Sequence, residues 1–304
     1  MKLNLNISEL KEYANVELLA KQMVEGFITG LHKSPYHGFS VEFAEHQLYN
    51  FGESTRHIDW KVFAKTDRLY TKRYEEETNL RCYIALDTSS SMYYPQPYMG
   101  KIKFSILASA ALSFLLQKQR DAVGLFSFSN QIDYHSEIKS TSKHIHNLLI
   151  RLQQLFDQKP KNKQTNVASV LHEIANKIPR RALIIVFSDM FQNQDVDQEE
   201  IFSALNHLKH NKHEVLLFHV SDKSTELEFN FDDRPYKFQD LETGQVLKLT
   251  PTEIKKTYQD SMQKYYRELY LKCHQLKIDF IDADISEGFD KILQTYLVKR
   301  AKMK

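Results

Sequence analysis

The sequence has few of the residues that mark disordered or disulfide-stapled chains. Its 304 residues include 8 glycines, 7 prolines and 2 cysteines. So few glycines and prolines argue against a disordered linker. Cys82 and Cys273 lie far apart, and in a chain of this size they are interpreted as buried thiols of a reducing compartment.

An excess of charge and a long apolar run are also missing. The formal net charge is +2, so no global field indicates nucleic acid or a membrane surface as a partner. The longest apolar stretch, 104–116, is interrupted by serines and is shorter than the ~20 residues that span a bilayer. Residues 1–11 lack the continuous apolar core of a signal peptide. We therefore expect a cytoplasmic chain that has no transmembrane segment and does not bind nucleic acid.

Short apolar runs alternate with amphipathic segments after residue 80. Runs typical of parallel strands buried on both faces occur at 82–86, 122–128, 182–187, 215–220 and 278–281. Apolar residues spaced three or four apart predict helices over 103–118, 143–155, 167–177 and 197–207. This alternation predicts an α/β fold with a doubly wound, mostly parallel sheet flanked by helices. Residues 132–138 are expected to add an antiparallel edge strand.

Two regions depart from this alternation. Residues 1–79 combine one helical pattern with short strand-like segments, so we predict a small N-terminal α+β subdomain there and the sheet domain over 80–304. Residues 227–231 alternate like a strand, and a turn at 242–245 precedes a second alternating run. This pattern predicts a hairpin insertion at about 226–250.

Hydroxyl and carboxylate residues follow two of the predicted strands and precede one helix. Asp87, Ser89 and Ser91 follow the first strand, Asp189 follows the third, and Thr165 precedes the helix that starts at 167. Ligands of open parallel sheets gather beyond the carboxyl ends of the strands. An all-oxygen set without cysteine suits Mg²⁺ or Mn²⁺ and disfavours zinc.

A structural interpretation of these residues competes with the metal site. Serine and aspartate are favoured helix caps, so an isolated Asp-x-Ser-x-Ser stretch is most simply a capping loop. The presence of Thr165 and Asp189 at matching positions shifts the balance towards a metal site.

These five residues resemble the metal-ion-dependent adhesion site of von Willebrand factor type A (vWA) domains. In that family the two serines and the threonine ligate Mg²⁺, the aspartates act directly or through water, and a partner's acidic residue completes the shell. The resemblance covers residues 80–220 and implies metal-dependent protein binding without catalysis.

A wider resemblance covers nearly the whole chain. Segments 38–49, 56–60, 72–78 and 238–244 are similar to the family known as domain of unknown function 58 (DUF58). One departure is Ser54, which stands where the family usually has a second acidic residue. Members are commonly encoded beside AAA+ ATPases of the MoxR type, which implies an adaptor or assembly factor working with such an ATPase.

A Mg²⁺-dependent phosphatase of the haloacid-dehalogenase type is the alternative function. In such an enzyme Asp87 would be the nucleophile. Those enzymes need a second aspartate two residues later, and this chain has Ser89, which cannot serve as a general acid near neutral pH. We therefore expect a binding protein and assign no catalytic residue.

Overall fold

The computed structural model describes residues 15–32, 46–48, 60–72, 80–96, 98, 100–158, 166–191, 198–241 and 244–302. Its helices are α1 (Val16–His32), α2 (Trp60–Thr66), α3 (Gly100–Lys118), α4 (Ser142–Phe156), α5 (Val167–Lys177), α6 (Gln198–His210), α7 (Pro251–Gln275) and α8 (Asp290–Lys302). Its strands are β1 (His46–Leu48), β2 (Tyr70–Lys72), β3 (Arg81–Asp87), β4 (Ala122–Phe128), β5 (Ile132–His135), β6 (Leu183–Ser188), β7 (Glu214–Ser221), β8 (Tyr236–Gln239), β9 (Val246–Leu249) and β10 (Asp279–Asp284).

The chain forms two compact units. One contains α1 as far as Ile28 together with the chain from Leu80 onward, and the other, Thr29–Asn79, holds α2 and the antiparallel pair of β1 and β2. This grouping differs from a simple division at residue 79, because the first turns of α1 pack within the sheet unit. Val16 is fully buried, and its backbone N–H donates a hydrogen bond to Gln153 Oε1 of α4 at 2.8 Å.

A six-stranded sheet organises the larger unit. Its strand order is β10-β7-β6-β3-β4-β5, with every pair parallel except β4 and β5. The predicted α/β class and mostly parallel sheet are thereby confirmed, and β5 is the antiparallel edge strand expected near residue 132. Apolar runs such as 183–187 form central strands because both of their faces are covered.

Helices cover both faces of this sheet. Val186 of β6 and Leu217 of β7 belong to one buried cluster with Ile174 of α5, Leu205 of α6 and Leu269 of α7. On the other face, α3 contacts β3, β4 and β7, and is itself contacted by α4 and α8. The residues that follow β3 and β6, including Asp87, Ser89 and Asp189, are buried at the carboxyl edge of the sheet, where ligands of such sheets bind.

Helix α3 is buried on nearly all sides, because protein encloses it. Its three buried serines, Ser105, Ser109 and Ser113, each donate a hydrogen bond to the carbonyl four residues earlier, at 2.7–2.9 Å. This pattern satisfies hydroxyls that would otherwise be buried without partners. Two lysines, Lys101 and Lys103, are nevertheless buried in its first turn.

The insertion after β7 contains a hairpin within the predicted range, but its first strand lies later in the chain than expected. Strands β8 and β9 pair antiparallel, with Tyr236 opposite Leu249. The strand expected at 227–231 is wrong. A π-helical turn occupies Lys223–Leu227, and Phe229 has a positive φ of 50°. Phe229 instead packs against Phe238 and Tyr258, with ring centroids 5.8 and 4.4 Å away, so its burial in an aromatic cluster explains the strand-like pattern.

Among the described helices, none combines the length and the apolar character needed to cross a membrane.

Candidate metal-binding site

Two neighbouring strands place the predicted aspartates at the same edge of the sheet. Strand β3 ends at Asp87, and β6 ends at Ser188, directly before Asp189. The two strands are paired in parallel with Leu86 opposite Phe187, so Asp87 comes next to Ser188. Both aspartates are fully buried. The strand-end rule therefore predicted their proximity correctly.

The Asp87 carboxylate is held by its neighbours on both sides. The backbone N–H of Ser89 donates to Asp87 Oδ1 at 2.9 Å, and Ser188 Oγ donates to Asp87 Oδ2 at 2.6 Å. Burial and, next in size, the negative charge of Asp189 raise the pKa of Asp87 to about 7, although the hydrogen bonds from Ser188 and Ser89 act to lower it. A cation beside Asp87 would oppose this rise, because it favours the charged carboxylate.

Ser89 and Ser91 bring two hydroxyls together beside this carboxylate. Their Oγ atoms lie 3.1 Å apart, and Ser89 is fully buried. The chain turns here because a 3₁₀ helix begins directly after Ser89, at Ser90–Tyr93. The side chain of Ser89 makes no hydrogen bond that caps this helix, so the capping interpretation does not account for its hydroxyl.

Asp189 has a partner that the sequence did not reveal. Its Oδ2 accepts a hydrogen bond from Lys101 Nζ at 2.8 Å, and its Oδ1 accepts one from the backbone N–H of Phe191 at 3.1 Å. Lys101 Nζ also donates to Glu226 Oε1 at 2.5 Å. Lys101 is fully buried, so its ammonium is shared between two carboxylates out of contact with water.

The charges of this bridge keep Lys101 protonated. Burial alone would lower the pKa of Lys101, but the carboxylates of Asp189 and Glu226 more than reverse the effect and raise it. Burial raises the pKa of Glu226, against the opposing charge of Lys101. A buried ammonium between two carboxylates is stable only with such direct hydrogen bonds.

His219 continues the polar row across the sheet. It lies opposite Ser188 on one side and Asp282 of β10 on the other. The ring is 2% exposed, and neither of its nitrogens has a hydrogen-bond partner among the described residues. Burial lowers the pKa of His219 to about 4, so the ring is neutral at physiological pH. Sequence inspection missed this residue because it lies inside an apolar strand.

The oxygen atoms present fit a hard divalent cation. Ligands about 2.1 Å from an octahedral Mg²⁺ lie roughly 3 Å from each other, which matches the distance between the hydroxyls of Ser89 and Ser91. The Asp87 carboxylate accepts hydrogen bonds from Ser89 and Ser188, and with about four lone-pair sites it can also ligate an ion. No three His, Cys, Asp or Glu side chains converge in the described part of the chain, so serine hydroxyls would have to contribute.

Thr165 lies outside the described residues. The next residue, Asn166, is the N-cap of α5, and its side chain accepts a hydrogen bond from Ser169 N at 3.0 Å. The assignment of Thr165 as a ligand therefore stays a prediction. Of the five predicted ligands, the structure describes Asp87, Ser89, Ser91 and Asp189.

A family model described as "Protein of unknown function DUF58" matches residues 45–268, which is well over half of the chain. The chain belongs to the DUF58 family. Uncharacterized proteins of Mycobacterium bovis and Mycobacterium tuberculosis are each 24% identical to this DUF58 chain over 174 residues. The matched region is 57% of this chain and 55% of each relative, so the chain spans about half the length of the curated relatives it matches.

Solved structures resemble this DUF58 chain only distantly. The conserved hypothetical protein BatB from Bacteroides thetaiotaomicron is 16% identical, with a TM-score of 0.41, and the match covers 73% of this chain and 99% of BatB. An aerotolerance-related membrane protein from Bacteroides fragilis is 15% identical, with a TM-score of 0.43, over 72% of this chain and 99% of its own. These likenesses are too distant to carry an argument about function.

Proposed function

We propose that the larger unit is a vWA-type domain whose adhesion site binds Mg²⁺ or Mn²⁺ and uses it to hold a protein partner. Asp87, Ser89, Ser91, Thr165 and Asp189 would form the site. The observation that carries the proposal is the pair of serine hydroxyls, 3.1 Å apart, beside the buried carboxylate of Asp87. These oxygens are the ligands that a hard cation prefers.

The residues of the site divide the work between them. Ser89 and Ser91 provide neutral ligands, and Asp87 provides charge. Asp189, whose carboxylate is engaged by Lys101, would act through a water molecule. When bound, the ion supplies an open coordination position for a carboxylate of the partner, which is a directional and charge-assisted contact. Because the partner's carboxylate would complete the shell, specificity would depend on the partner's acidic residue.

The proposed role is that of an adaptor or assembly factor working with a MoxR-type AAA+ ATPase. This part of the proposal rests on the family resemblance. The chain itself has no glycine-rich phosphate-binding loop, so the hydrolysis of ATP would belong to the partner.

Replacing Asp87 with Asn is expected to weaken Mg²⁺ binding by at least about tenfold, because one charged ligand becomes neutral. Isothermal titration calorimetry with Mg²⁺ and Mn²⁺ measures this effect. The matched control is Asp121→Asn. Asp121 is equally buried but precedes β4, at the opposite edge of the sheet, where its Oδ1 accepts a hydrogen bond from Leu80 N. Equal binding by Asp87→Asn and the wild type would rule the site out.

The purified protein with Mg²⁺ is expected to release no measurable p-nitrophenol from p-nitrophenyl phosphate. Asp87 is fully buried, both of its oxygens accept hydrogen bonds, and Ser89 stands where a phosphatase needs a general acid. Turnover that disappears in the Asp87→Asn variant would instead establish the phosphatase alternative.

A further inference from the structure

Lys101 places a positive charge inside the candidate metal site. Its ammonium lies 2.8 Å from Asp189 Oδ2, and the side chain is fully buried. The rings of Tyr94 and Phe191 enclose the ammonium further, with centroids 5.8 and 5.7 Å away. In this setting the amine cannot leave for solvent without disrupting its surroundings.

A divalent cation and this ammonium compete for the same carboxylate. Both Asp189 oxygens already accept hydrogen bonds, one from Lys101 and one from Phe191 N. Charges of the same sign within a few ångströms repel strongly when they are shielded from water. Binding of a cation beside Asp189 is therefore opposed for as long as Lys101 stays against Asp189.

Glu226 offers the ammonium a second position. Its Oε1 already accepts a hydrogen bond from Lys101 Nζ, while its Oε2 accepts one from the backbone N–H of Asp222 at 2.8 Å. Glu226 is slightly exposed, whereas Asp189 is fully buried. A small movement of the lysine side chain would leave it paired with Glu226 alone.

We propose that Lys101 is an internal cation that limits the affinity of the site for divalent metal, and that Glu226 takes over its ammonium when metal binds. This inference rests on the proposed function. It assigns Lys101 and Glu226 as positioning residues, which act on the metal ion through Asp189 without touching it.

The segment that contains Glu226 would transmit this shift of the Lys101 ammonium, from Asp189 to Glu226, to the insertion. Glu226 lies in the π-helical turn Lys223–Leu227. Thr225 stabilises the turn through two hydrogen bonds. Its Oγ1 donates to Asp222 Oδ2 at 2.9 Å and accepts from Tyr94 Oη at 2.7 Å. Two residues after the turn, Phe229 packs against Phe238 of β8. A shift of Glu226 would therefore reach the hairpin of β8 and β9.

Variants at the two residues are expected to change Mg²⁺ affinity in opposite directions. Lys101→Met keeps the length of the side chain and removes its charge, so it should tighten binding by at least about tenfold. Glu226→Gln leaves the ammonium on Asp189 and should weaken binding by about tenfold. Lys103→Met is the control: Lys103 is a buried lysine of the same helix, which faces the ring of Phe156. It should bind Mg²⁺ as the wild type does.

The double variant distinguishes an effect of Glu226 that acts through Lys101 from a direct effect of the Glu226 charge on Mg²⁺. If Glu226 acts through Lys101, Glu226→Gln should change Mg²⁺ affinity less than about twofold in the Lys101→Met background. Additive effects of the two changes would overturn the proposal that Glu226 acts by binding the Lys101 ammonium. Hydrogen exchange gives a second measurement, since Mg²⁺ should alter exchange at residues 222–228 of the wild type. A change confined to residues 87–92 would also contradict it.

The same titrations distinguish failure of this inference from failure of the proposed function. Calorimetry and a shift of Tm on adding Mg²⁺ are compared for all variants. Binding by Lys101→Met but not by the wild type would support the inference in its strongest form. Equal binding by the wild type, Lys101→Met and Glu226→Gln would overturn it and leave the proposed function standing. Absence of binding in every protein would overturn both.

Discussion

The Asp87→Asn substitution is expected to raise the free energy of unfolding of the metal-free protein at pH 8 by roughly 2 kcal/mol. Burial and the charge of Asp189 raise the pKa of Asp87 from 3.8 to about 7. A difference of that size corresponds to about 4 kcal/mol of unfavourable free energy once the carboxyl is ionised. Asn removes the charge but loses one of the two hydrogen bonds that the carboxylate accepts, which costs about 1–2 kcal/mol.

The pH dependence of this effect has a defined sign. Because the folded pKa lies above the unfolded one, the protonated carboxyl favours the folded state, and that advantage is complete below pH 3.8. It is lost as the pH rises through about 7. Urea denaturation in the presence of chelator at pH 5 and pH 8 should therefore show a much larger gain for Asp87→Asn at pH 8. A variant that is less stable than the wild type at pH 8 would contradict the assigned repulsion.

The neighbouring aspartate is expected to behave in the opposite way. Asp189→Asn should destabilise the protein by about 3–5 kcal/mol, because it removes one of the two carboxylates that neutralise a buried ammonium. The side chains of Lys101 and Asp189 are both 0% exposed to solvent, so water cannot replace the lost partner. Urea denaturation in chelator measures the difference.

A second background tests the assigned cause. In the Lys101→Met protein the ammonium is gone, so Asp189→Asn should cost much less than in the wild type. The difference between the two costs is the coupling between Lys101 and Asp189. Equal costs in both backgrounds would show that Asp189 stabilises the fold through other contacts, such as its hydrogen bond from Phe191 N.

The sequence predicted the sheet well because burial on both faces leaves a strong signal. Strand β4 and helix α5 were predicted with their observed bounds, since a continuous apolar run and an uninterrupted three-to-four spacing each have one simple explanation. The prediction of a strand at 227–231 from the same kind of pattern was wrong. Its apolar positions face an aromatic cluster around Phe229, and alternation alone does not distinguish such a cluster from a strand.

The candidate site was predictable only where its residues follow strands. Asp87 and Asp189 stand at the ends of β3 and β6, a position that can be recognised from the chain. Lys101 and Glu226 have no such marker, because a lysine at the start of an apolar helix says nothing about the carboxylate it will reach. Periodicity reports which face of an element is buried and is silent about polar contacts between distant segments.

The bridge from Lys101 to Glu226 has a consequence for the order of events during synthesis. The two residues are 125 positions apart in the chain. At about 5–20 residues per second, a ribosome needs roughly 6 to 25 seconds to add the glutamate after the lysine. For the first 88 of these positions neither carboxylate has been synthesised, and from then until Glu226 is added the ammonium of α3 has Asp189 alone. We therefore expect this edge of the sheet to close only after β7 and the turn that follows it have left the exit tunnel.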